Sequence, residues 1–149
     1  MTGPGVTEAR LAKVAEQLEA ARVLIERGLH ANAAHALYFA VFHAVSALLA
    51  AEGIAPSTHR GTQQMFSLHF IRSGRLPEDF GWRFSQLMDQ RGLADYGLGP
   101  DVSARSVAEA RASVLLMLPA ILDALPTPAG DEIAAFREAR LRLGELATP

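Results

Sequence analysis

Cysteine is absent from this chain of 149 residues, which excludes disulfides and thiolate metal sites. Lysine is almost absent too: Lys13 stands alone beside thirteen arginines. A forked guanidinium suits phosphate recognition, yet a GC-rich coding sequence produces the same bias, and that plainer cause is preferred. There is no excess of one charge, since 14 basic residues face 16 acidic ones for a net charge of −2. No global basic field therefore exists to hold nucleic acid by charge alone. Residues Met1 to Val6 lack the basic-then-apolar pattern of a signal peptide. Apolar runs such as Val41 to Ala51 are interrupted by His43 and Ser46 and read as too short for a bilayer, so a cytoplasmic protein is expected. Strand alternation and internal repeats are also missing.

What remains is helix. Half the residues are apolar, with alanine and leucine dominant, and the length suits one domain with a packed core. After a disordered stretch over 1–6, the pattern predicts a helix from about Thr7, its candidate N-cap, to Arg27, with Gly28 as the stop. A second helix, about Ala31 to Glu52, is apolar on nearly every side. Such a helix must be covered all round, and with few helices to spare the covering partner is expected to be a second chain. A third begins near Ser57-Thr58 and reaches Ser73-Gly74. Pro77, Glu78 and Asp79 open a fourth, expected to end near Arg91-Gly92. Ser103 or Ser106 caps a fifth, whose Pro119 predicts a kink. The expected fold is all-α: an up-and-down antiparallel bundle of five helices over 7–125, a linker at 126–130, and an amphipathic helix over 131–149 with a Glu138–Arg142 pair.

One stretch carries chemistry. Phe80, Phe84, Leu87 and Met88 form an apolar face, and continuing its spacing puts Arg91 on that same face. A guanidinium there keeps its charge, so it needs a carboxylate, a phosphate or a cavity. Asp95 and Tyr96 follow within a turn and a half. The plain role is an Arg91–Asp95 ion pair locking the helix end, with Tyr96 packed over it. The functional role adds a phosphate or nucleotide on Arg91, with Tyr38 or Tyr96 as hydroxyl partner or stacking plate.

Three segments together resemble the HEPN superfamily (higher eukaryotes and prokaryotes nucleotide-binding domain), in its branch of small free-standing prokaryotic proteins. They are Ala36-Leu37-Tyr38-Phe39-Ala40-Val41-Phe42-His43-Ala44, then Thr58-His59-Arg60-Gly61 with Phe66 and Phe70, then Arg91-Gly92-Leu93-Ala94-Asp95-Tyr96. The resemblance covers about residues 8–125. It implies a helical bundle that commonly pairs into a homodimer. It also implies a metal-independent ribonuclease site, built from an arginine followed by four to six residues and then a histidine, in toxins or phage-defence effectors often encoded beside a small nucleotidyltransferase. Arg91 matches the arginine. The histidine is missing: Tyr96 occupies the fifth position on, and no histidine follows His69.

The substitution matters chemically. RNA cleavage without a metal needs a base for the 2′-hydroxyl and positive charge at the phosphoryl group. Imidazole titrates near neutrality, whereas tyrosine, at about 10, lies roughly three units too high. His59 is the strongest substitute base, although its plainer role is to satisfy a helix start. His43 lies about 140° around its helix from Tyr38 and is expected on another surface, while His35 belongs at the core edge. His30 reads as a turn residue, and His69 shares the Met65 face. Their spacings suit no metal, and no cofactor is expected. The preferred expectation is a non-enzymatic or weakly active homodimeric module that binds RNA or nucleotide phosphate through Arg91, Asp95, Tyr96, His59 and Tyr38. It would act with a nucleotidyltransferase or another partner in a toxin–antitoxin or defence setting. The alternatives are a working ribonuclease in which Tyr96, His59 or a partner-chain residue supplies the base, and a structural dimerisation or adaptor bundle.

Overall fold

A computed structural model describes residues 5–96 and 102–149, with the side chains of 92–96 outside what it describes. The disorder expected at the N-terminus falls largely on residues 1–4, which lie outside the described residues. Six α-helices follow one another: α1 (Val6–Glu26), α2 (His30–Ala50), α3 (His59–Phe66), α4 (Asp79–Tyr96), α5 (Ala104–Ala124) and α6 (Glu132–Ala147). A π-helical turn over Ser67–Ile71 prolongs α3. Among the described residues there is no strand.

The centre of the molecule is α2, against which α1, α4 and α5 all pack. Leu37, Tyr38, Val41, Val45, Leu48 and Leu49 are almost wholly removed from solvent. The chain thus supplies most of the cover that the sequence assigned to a second copy. What it leaves is one stripe: His35, Phe39, Phe42, His43 and Ser46, spaced on one helix face, stay partly exposed. By length and composition α2 could cross a membrane, contrary to the reading of broken apolar runs. Yet 67% of its most apolar window is buried inside the chain, as in a core helix.

Local signals set the helix ends. Gly5, at φ 87°, is the N-cap of α1, and Thr7 lies one residue inside the helix rather than capping it. Gly28, at φ 71°, closes α1: its N–H and that of Leu29 donate back to the carbonyls of Ile25 and Leu24. Thr58 caps α3, its Oγ1 accepting from the Gly61 N–H at 2.9 Å. Ser103 and Ser106 share the start of α5, each side chain accepting from the other's backbone N–H. The helix continues through Pro119 to Ala124. Contrary to expectation, α4 passes Gly92 and runs on to Tyr96. One glycine costs only about 1 kcal/mol in a helix and does not by itself end it.

Helix α6 lays Ala139, Leu143 and Leu146 into the core and packs chiefly on α1. Arg142 pairs with Glu138 at 2.8 Å, as the spacing predicted, and also reaches Glu145 and, across the interface, Glu19 of α1. Arg111 of α5 fixes the far end by donating twice to the Leu146 carbonyl, at 3.0 and 2.7 Å.

Candidate functional site

Tyr38 is the floor of the site. Its ring is fully buried and stacks on Phe84 of α4 at 5.8 Å, which ties α2 to the helix that bears Arg91. Its hydroxyl lies 2.8 Å from Nδ1 of His59, the first residue of α3. Burial pushes the Tyr38 phenol up to about 12, against the opposing pull of Arg91, so the hydroxyl stays protonated at neutral pH.

Arg91 lies at the edge of the same cluster. Its Nε is shielded from solvent, and its guanidinium carbon stands 5.7 Å from the Tyr38 ring centroid and 5.6 Å from that of Phe39. A cation at that distance from aromatic faces is attracted by the ring quadrupole. The helical spacing that placed Arg91 on the inward face of α4 thus matches the geometry.

His59 closes the group from α3. Its ring centre is 5.6 Å from Phe39 and 4.6 Å from Phe42. Because Thr58 takes the capping position, the His59 side chain is turned toward α2 instead of satisfying the helix start. Three residues singled out from the sequence, Tyr38, His59 and Arg91, therefore gather at one place from three consecutive helices. The side chains of Asp95 and Tyr96 lie outside the described residues, so the expected Arg91–Asp95 pair does as well.

Sequence reasoning missed the other end of the stripe. His43 does not face a separate surface: its ring is 5.9 Å from Phe39 and 5.5 Å from Phe42. Arg10 of α1 holds it, with Nη1 2.8 Å from His43 Nδ1, and the Arg10 guanidinium carbon stands 5.8 Å from the Phe42 ring. A guanidinium only donates, so His43 Nδ1 is the acceptor and the imidazole is neutral with its proton on Nε2. Burial first, then the neighbouring Arg10, lower its pKa to about 4. No local pattern could announce this pair, because Arg10 and His43 are 33 positions apart. His35 packs at a tilt against Phe39, 4.7 Å between ring centres, at the core edge as expected.

The arrangement offers two arginines, aromatic faces and imidazoles along one partly exposed stripe. Among the described residues no group of three or more His, Asp or Glu side chains is placed to hold a metal ion. A cleft of about 940 Å³ opens elsewhere, where Arg22, His30, Arg111 and Glu145 meet, away from the stripe.

Comparison with known proteins agrees with the resemblance read from the sequence. The family profile described as the HEPN domain matches residues 7–117, which takes in every residue of the cluster and leaves α6 outside. A protein of Methanocaldococcus jannaschii named "Putative toxin" is 36% identical over 81 residues, covering 54% of this chain and 60% of its own. A UPF0332 protein of Thermotoga maritima is 32% identical over 82 residues, covering 55% and 62%. Another UPF0332 protein, from Archaeoglobus fulgidus, is 32% identical over 100 residues, covering 64% and 76%. The chain spans about three fifths of the length of the first two relatives.

Proposed function

The chain belongs to the HEPN domain family, and from that premise we propose that it binds RNA or nucleotide phosphate at the cluster of Arg91, His59 and Tyr38. The observation that carries this reading is the convergence of those side chains from three helices onto one aromatic bed. Arg91 supplies a permanent positive charge, and its seat on Tyr38 and Phe39 fixes where an anion would be received. Phe39 and Phe42 are partly exposed and line the approach to it. Asp95 and Tyr96 belong to the same proposed site through their place in the last turn of α4.

The module is proposed to work as a homodimer in the cytoplasm. The toxin name of the M. jannaschii relative supports a toxin–antitoxin or defence setting, with a small nucleotidyltransferase as the candidate partner.

A second reading, metal-independent RNA cleavage, is favoured by one specific observation. His59 stands against the same aromatic pair as Arg91, so an imidazole is available where the residue five positions past Arg91 is a tyrosine. With Tyr38 donating to Nδ1, the imidazole proton sits on Nε2, which can donate a hydrogen bond but not take up a proton. With the reverse hydrogen bond, Nε2 is left as the base.

Fluorescence anisotropy with a labelled single-stranded RNA, in EDTA, tests both readings. Saturable binding that weakens at least tenfold in Arg91→Ala supports the first. Cleavage in EDTA that disappears in both Arg91→Ala and His59→Ala supports the second. Equal affinity of wild type and Arg91→Ala, with no cleavage, overturns both and leaves a structural bundle.

A further inference from the structure

Arg10 is a guanidinium whose hydrogen-bond partner carries no charge. Most arginines with side-chain partners here face carboxylates: Arg22 faces Glu19, Arg75 faces Glu52, and Arg83 faces Asp79. Among the described residues Arg10 has no carboxylate within ion-pair distance, and it donates instead to the neutral imidazole of His43. The hydrogen bond fixes the side chain in place without cancelling its charge. A half-buried arginine held by a neutral acceptor and an aromatic face is poised for an anion from outside.

Its place relative to Arg91 gives that charge a purpose. Arg10 stands 5.8 Å from the Phe42 ring, Phe42 stands 5.6 Å from Phe39, and Arg91 stands 5.6 Å from Phe39. The two guanidinium groups are thus linked through one aromatic pair by three contacts, each under 6 Å. His59, 4.6 Å from Phe42 and 5.6 Å from Phe39, contacts both rings of that pair. An oligonucleotide carries a separate phosphate for each guanidinium, whereas a mononucleotide carries one for the pair.

Resting on the phosphate-binding reading of Arg91, we propose that Arg10, moored by His43, is a second phosphate-binding residue. The site then takes a single-stranded polynucleotide with at least two backbone phosphates across the Phe39–Phe42 surface, in preference to a free mononucleotide. Separate backbone phosphates of one strand pair with Arg91 and Arg10. The selectivity is for chain length, since phosphate pairing is tolerant of sequence.

The test compares a fluorescein-labelled octauridylate with unlabelled uridine monophosphate as competitor, on the full chain, across a salt series. Arg10→Ala should weaken octauridylate binding about tenfold and flatten its salt dependence by about 0.7 in the log–log slope, one phosphate contact of a single strand. The same variant should leave competition by the monophosphate unchanged, whereas Arg91→Ala weakens both. Arg10→Lys keeps the charge and should keep the slope; His43→Ala frees the guanidinium and should lower affinity with the slope preserved. The inference is overturned if Arg10→Ala leaves octauridylate affinity and slope unchanged while Arg91→Ala weakens binding. It is equally overturned if Arg10→Lys loses as much as Arg10→Ala. If Arg91→Ala changes neither ligand, the phosphate-binding reading itself has failed, a different outcome from the loss of the second pole alone.

Discussion

The hydroxyl of Tyr38 and Nδ1 of His59 lie 2.8 Å apart, a contact that joins the centre of α2 to the first residue of α3. The buried end of this hydrogen bond is a phenol with no access to water, so its partner is structurally required. Tyr38→Phe keeps the ring stacked on Phe84 but leaves His59 without that hydroxyl. We expect a loss of about 1 kcal/mol in urea unfolding, the usual net worth of one such bond. RNA affinity should fall as well, because His59 is no longer oriented. A variant with wild-type stability and wild-type affinity would show the contact to be idle.

His43 makes stability depend on acid. Its folded pKa of about 4 lies below the ordinary histidine value near 6.5, so the unfolded chain binds more protons between those limits. The stabilisation from a neutral His43 is complete above pH 6.5 and is lost as the pH falls toward 4. Arg10 and Lys13 of α1 and His59 of α3 disfavour the imidazolium, while Glu16 of α1 favours it. Allowing for a ring that is only partly shielded, the acid-side loss should be about 2 kcal/mol. Urea midpoints for wild type and His43→Gln, measured from pH 4 to 7.5, check it: the glutamine variant should show a shallower slope.

Thr58 connects a helix cap to the site. Thr58→Ala removes the oxygen that accepts from the Gly61 N–H and should cost about 1 kcal/mol. The first turn of α3 carries His59, so fraying there should also weaken RNA binding several-fold at temperatures where the protein remains folded. Thermal melts and anisotropy on one preparation read both effects.

Helix α6 is held by burial more than by charge. Leu143→Ala removes a buried side chain at the α6 interface and should cost about 2–4 kcal/mol. Arg142→Ala dissolves a solvent-screened ion-pair network and should shift the denaturation midpoint far less than Leu143→Ala. Denaturation curves that reverse this order would mean that the charges, not Leu143, fasten α6.

Periodicity made Arg91 legible: three phenylalanine and leucine positions on α4 define a face, and the arginine continues it. Cap chemistry was equally visible at Thr58 and at Ser103–Ser106. Pairings between distant residues were not. Nothing local to Tyr38 announces His59, and the angle of His43 from Tyr38 disguised that both border Phe42. The all-apolar character of α2 predicts full cover, but composition records how much cover a helix needs, not who provides it. Three neighbouring helices provide most of it. Gly92 misled in a simpler way, since a helix packed along its length continues through one poor helix former.

The central proposal is that Arg91 and His59 receive phosphate together. The most direct measurement is a titration of the protein, labelled at arginine and histidine side chains, with octauridylate followed by NMR. Saturable shifts of the Arg91 Nε–H and the His59 ring signals are expected, with one shared dissociation constant, abolished in salt. Shifts confined to other arginines, with Arg91 and His59 unmoved at saturation, would contradict it.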